Sequence, residues 1–179
     1  MAEAFSNSLT RAVGVVTTYS GSTVAAASTA ITVTAATGIG VSDLVDNAHY
    51  IAGTRVKQIV GTTVYTDRAS TNTASATSQI VKFLGVTTAY TSASGTKSIL
   101  IGGTFANNTT SQVNLTVEVF DQSADTTVGI AQKIPVPTGS SFVISDAGKS
   151  VLESLDEVRV YSDTAGAIDV NLSILTGVS

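Results

Sequence analysis

The 179-residue chain has no cysteine, no tryptophan, one histidine and two prolines, and only 12% of its residues are charged. Each scarcity removes a class of protein. Without cysteine, neither disulfides nor thiolate metal sites can hold the fold, so stability has to come from packing or assembly. Nine Lys and Arg against thirteen Asp and Glu give a net charge of −4 and a pI near 4.7. That balance leaves no footprint for nucleic acid, which needs clustered cations to displace counterions from phosphate. The basic residues, among them Arg11, Arg55, Lys97 and Arg159, are scattered singly. No run of about 20 apolar residues is present, and Ala4 to Thr18 is interrupted by Asn7, Thr10 and Arg11. Neither a secretory leader nor a membrane span is therefore expected.

What is present favours strands. Hydrophobic residues reach 43%, mostly Val, Ile and Ala, and Ser and Thr together outnumber all charged residues. Side chains branched at Cβ fit a pleated surface better than a helix. From about Lys97 onward, short alternating runs are separated by turn residues, as in an antiparallel sandwich. Ser98 to Phe105 is the first. After Asn107-Asn108-Thr109-Thr110-Ser111, the residues Val113, Leu115, Val117 and Val119 share one face. Thr127 to Ile134 follows, and Pro135 to Gly139 is expected to end pairing, since proline cannot donate to a ladder. Ser141 to Ile144 resumes it. Lys149 to Leu155 fits a short strand and turn better than a helical turn. Val158 and Val160 alternate with Arg159 and Tyr161, and Ile168, Val170, Leu172 and Ile174 face away from Asp169, Asn171 and Ser173.

Tyr19 to Val86 has a different, Ala/Thr/Gly-rich texture, with short runs at Ala30–Thr34, Arg55–Val60, Thr62–Thr66 and Gln79–Leu84. A tight hairpin is expected at Ile59 to Val64, with Gly61 in a conformation costly for other residues. Gly14-Val15-Val16-Thr17-Thr18-Tyr19 is echoed by Gly85-Val86-Thr87-Thr88-Ala89-Tyr90, and we read the text between as an insertion. The expected fold is therefore all-β. An antiparallel Ig-like or jelly-roll-like β-sandwich (87–179) packs with an N-terminal segment (1–18), and a small β domain (19–86) is inserted near the N-terminus.

Phe5-Ser6-Asn7-Ser8-Leu9-Thr10-Arg11-Ala12-Val13-Gly14 resembles the opening of small β-sandwich virion structural proteins of tailed bacteriophages, particularly those infecting marine bacteria. Ile99 to Thr109, Ile134 to Ser141, Lys149 to Glu153 and Asp169 to Leu175 resemble their later segments. The likeness covers the first 14 residues and roughly the last 80. Gly38 to Val45 and Ile51 to Val56 resemble a small β module of phage and bacterial surface proteins. The resemblance implies a place in the virion, assembled in the host cytoplasm, among neck, tail or capsid subunits and further copies of the chain.

Residues with catalytic potential are few. His49 lies near Asp46 and Ser42, but no nucleophile elbow surrounds the serine. Glu153, Asp156 and Glu157 form the only acidic cluster, read as a solvated turn rather than an acid–base pair. Asp43, Asp46, Asp121 and Asp125 do not follow a calcium-loop pattern. Gly38-Ile39-Gly40 and Gly102-Gly103 lack the rest of a phosphate-binding loop. No catalytic residue, metal or cofactor is assigned. The reading is a non-enzymatic, homo-oligomeric virion subunit of the head-to-tail region or tail, with capsid decoration less favoured. A receptor- or carbohydrate-binding module of a tail fibre or adhesin is the alternative. Candidate interaction residues are Phe5, Leu9 and Arg11 in the N-terminal segment, Asn107, Asn108 and Thr109 in one turn, and Asp121 and Asp125 in another. Phe120, opposite the Val117 and Val119 face, is expected to be exposed or to meet a partner.

Overall fold

A computed structural model describes residues 3–145 and 149–178, and among these every regular element is a strand. The chain divides into two compact units, one of residues 1–14 with 86–179, the other of residues 15–85. Residues 15–18, expected with the N-terminal segment, instead open a strand of the second unit. That strand also explains the echo: its first copy pairs inside 15–85, whereas Thr87 to Tyr90 pairs in the other unit.

The first unit is a sandwich of two antiparallel sheets. One sheet runs β1 (Ala4–Val13), β15 (Ile168–Val178), β9 (Lys97–Asn107), with β12 (Ser141–Ile144) and β13 (Ser150–Leu152) both on the far edge of β9. The other runs β11 (Thr126–Val136), β10 (Val113–Asp121), β14 (Glu157–Ser162), β8 (Thr87–Thr91). Ile168, Val170, Leu172 and Ile174 of β15 enter the core, as do Val113, Leu115, Val117, Val158 and Val160 from the opposing sheet. Each such side chain contributes about 1.5–3 kcal/mol by leaving water. In β9 the inward parity changes from Leu100 to Phe105, because a bulge between them skips one residue against β15. A Cβ on Gly103 would come 2.6 Å from Leu172 Cδ2, so the missing side chain is the room Leu172 occupies.

Pairing does not stop before Pro135. The strand continues to Val136, with Asn114 opposite Pro135 and Val113 opposite Val136. The reason is position: β11 is an edge strand, and a proline there can turn its donor-less nitrogen away from the ladder. Two register shifts, together with Lys133 at φ +51°, further distort this edge.

The second unit is one six-stranded sheet. Its order is β4 (Leu44–Asp46), β7 (Ala76–Gly85), β2 (Val15–Val24), β3 (Ala30–Thr32), β6 (Thr63–Thr66), β5 (Val56–Val60). Its two ends meet. Leu44 bridges Arg55, Val45 N–H donates to the Thr54 carbonyl at 2.8 Å, and Val56 N–H to the Asp43 carbonyl at 2.9 Å. The sheet thus closes into a small barrel and leaves no long open edge. Val24, Ile31, Val64, Val81 and Phe83 fill it. The hairpin expected at Ile59 to Val64 is present, with Val60 opposite Thr63 and Gly61 at φ +59°.

Candidate interaction surfaces

Alternation along β1 places Phe5, Asn7 and Leu9 on the outer face of the five-stranded sheet, where Phe5 is 79% and Leu9 72% exposed. Residues directly opposite in an antiparallel ladder share a face. Phe5 is opposite Leu175, Leu175 opposite Ile99, and Ile99 opposite Val151. A continuous apolar row therefore crosses four strands, ending on Val151 at 59% exposure. A second row runs from Leu9 through Asn171 and Thr104 to Val143, which is also exposed.

Beside Leu9 lies an open depression of about 380 Å³ lined by Arg11, Thr104, Ala106, Asp169 and Asn171. Asp169 organises its rim. One carboxylate oxygen accepts the Ala12 N–H at 2.9 Å; the other lies 3.9 Å from Arg11 Nε, whose side chain is 91% exposed. The Ala12 hydrogen bond first, then one from the Asn108 side chain, then Arg11 hold this carboxyl below its ordinary value of 3.8. Two of the residues singled out from the sequence, Arg11 and Asn108, are therefore brought together by a residue that was not. The signal for it lay in β15, where Asp169, Asn171, Ser173 and Leu175 share the outward side.

Other candidates have internal work. Asn107 is buried. Its amide donates to the carbonyls of Ser111 and Val136 at 2.8 and 2.9 Å, and its oxygen accepts both the N–H and the hydroxyl of Thr109 at 2.8 Å. It is a strut inside the β9–β10 turn rather than a contact on the surface, and Thr109 shares that role. Phe120 is also inside, at 9% exposure. The Arg159 guanidinium lies 3.6 Å above its ring and is fixed by Glu157 at 2.7 Å, a cation–π lid that hydrophobic alternation alone does not reveal. Asp121 closes the β10–β11 hairpin: its Oδ1 accepts the N–H of Ser123 and of Ala124 and the Ser123 hydroxyl, all within 2.9 Å. These bonds, Ala124 foremost, lower its pKa. Asp125 is exposed at φ +48° in the same loop.

The acidic cluster does not form one site. Asp156 is buried rather than solvated, and its carboxylate receives the N–H groups of Gln122 and Glu153 at 3.1 and 2.8 Å. Glu153 instead pairs with Lys97 at 3.0 Å. In the second unit His49 occupies a turn, its N–H donating to Asn47 Oδ1 and its carbonyl accepting from Thr71, while Ser42 N–H donates to the Val56 carbonyl at the barrel seam. Among the described residues no group of three or more His, Asp or Glu is arranged to hold a metal ion, and no helix is long and apolar enough to cross a membrane. Comparisons with protein-family models, curated proteins and solved structures find no match to this chain.

Proposed function

We propose that this chain is a non-enzymatic, multimeric structural subunit of a tailed-bacteriophage particle, placed in the head-to-tail region or tail rather than on the capsid exterior. The observation that carries this reading is the apolar row Phe5–Leu175–Ile99–Val151 on the outside of a sheet whose other face is already packed. Apolar side chains aligned across four strands favour a flat protein partner, and repetition in a particle makes such contacts collectively strong. The Asn107 and Asp121 turns are braced by internal hydrogen bonds, as suits a rigid spacer. The resemblance of residues 5–14 and of the later strands to virion proteins supplies the biological setting.

The test is cryo-electron microscopy of particles assembled from the genome that encodes this chain. Density for the chain in a ring at the neck or tail supports the reading. Copies spread over the head lattice would move it to capsid decoration, and absence from the particle would overturn it. The depression beside Asp169 favours a second reading, a binding module for a host receptor or envelope carbohydrate, because it combines Leu9 with polar groups of both signs. Binding of purified protein to host envelope glycans, lost on Asp169→Ala, is the result expected of that alternative.

A further inference from the structure

Three edges of the sandwich are spoiled for further pairing. The edge strand β11 carries Pro135 and two register shifts; β12 and β13 are only four and three residues long; β8 is five residues long, with a shift against β14. Such devices are how proteins keep sheet edges from joining. The fourth edge, β1, is free of them over its first seven residues: Ala4 to Thr10 pairs with β15 in unbroken register, and the one bulge, between Thr10 and Val13 with Ala12 at φ +55°, comes only after that run; residues 3–7 are exposed throughout.

The sequence of this strand is complementary to itself. If a two-fold axis passes through Asn7, antiparallel pairing sets Phe5 opposite Leu9 of the second copy, Ala4 opposite Thr10, Ser6 opposite Ser8, and Glu3 opposite Arg11. Apolar meets apolar on the outer face, and opposite charges meet at both ends. Sliding the register by two residues opposes Phe5 or Leu9 with Asn7, and sliding by one puts the apolar residues on opposite faces. The register centred on Asn7 alone satisfies both the charges and the apolar pairs. It would also join the apolar row, which ends on Phe5, to Leu9 of the second copy across the seam.

We infer that β1 is an isologous pairing edge, and that a second copy of this chain adds to it antiparallel about a two-fold axis at Asn7, making one continuous ten-stranded sheet. This does not rest on the virion reading. The full chain is tested in solution by sedimentation equilibrium and by cross-linking. Because the protein has no cysteine, Asn7→Cys introduces a single thiol on the axis, where paired Cα atoms lie about 4.5–5.5 Å apart, within disulfide reach. The expected results are a dimer, near-complete disulfide capture of N7C under mild oxidation, and little capture of Thr110→Cys in an exposed turn of the same unit. Arg11→Glu sets like charges opposite at both ends and should raise the dissociation constant about tenfold. The double variant E3R/R11E should restore it. A wild-type monomer at every soluble concentration overturns the inference, as does a dimer that N7C does not capture or a double variant as weak as R11E.

Discussion

Tyr50 is buried in the barrel core, yet among the described residues its hydroxyl has no partner in hydrogen-bonding geometry; the hydroxyl of Thr66 is placed to donate to the carbonyl of Arg68 at 2.6 Å or of Thr29 at 3.0 Å. A buried, unsatisfied hydroxyl costs stability that its removal returns. Tyr50→Phe is therefore expected to raise stability by about 1 kcal/mol, read as a higher denaturant midpoint at unchanged slope. Two aspartates give opposite pH dependences. Burial raises the Asp43 pKa against the pull of its hydrogen bond from the Gly40 N–H. Its contribution to stability is then fully present below the ordinary value of 3.8 and is lost as pH rises through the raised folded value. Asp43→Asn should gain stability relative to wild type at pH 7 and lose that advantage below pH 3.8. Asp169 is depressed, so its stabilisation is present above 3.8 and disappears as pH falls through the lower folded value. Asp169→Asn should be the less stable protein at pH 7 and converge on wild type in acid. Urea unfolding of the three proteins across pH 2–7 checks both signs. None of these three environments was legible in the sequence, because each depends on neighbours distant along the chain.

At the scale of elements, alternation was a sound guide where one face of a strand meets the core and the other meets water. The inward residues of β15 and β14 could be read directly, since period-two burial leaves a period-two sequence. It misled where the outer face is covered as well. Thr116, Glu118 and Phe120 of β10 are buried beside the inward valines, and the cover over Phe120 comes from Arg159 on another strand. β2 and β4 leave no strand signal in the sequence, the first because its Thr, Ser and Gly content imitates a loop, the second because it is three residues long. The Asn107 turn was recognised as a turn but not as a strut, since the Val136 carbonyl that its amide reaches lies 29 residues away. Asn107→Ala would strand several of these backbone partners in a buried site and is expected to destabilise the sandwich by about 1–3 kcal/mol. Asn108→Ala, on the exposed side of the same turn, should cost less than Asn107→Ala. Thermal unfolding of the two variants side by side measures the difference.

For the whole molecule, the strand ladders keep the two units separate: every strand of the three sheets pairs within residues 15–85 or within the rest. Val15 and Gly85 are partners in the β2–β7 ladder, so the chain enters and leaves the barrel at adjacent positions. A chain with residues 15–85 replaced by a short flexible linker is accordingly expected to retain the sandwich. Its far-ultraviolet circular dichroism should remain that of a β protein, with a single cooperative thermal transition; loss of the transition would mean that the sandwich requires the barrel.

The all-β class and the inward faces of the half-buried strands were legible in the sequence alone, whereas the exposure of Phe5 and Leu9 was not, since their alternation with Ser6 and Ser8 looks like that of a half-buried strand. The legible features follow from side-chain branching, period-two patterning and turn chemistry, all local properties. Three features came from the assembled chain instead: the 15–85 sheet closes on itself, Asp169 gathers Arg11 and Asn108, and Phe5, Leu175, Ile99 and Val151 align. Closure and alignment depend on the register between strands separated by up to about 170 residues, and register is set by long-range pairing and bulges that no local window of sequence contains.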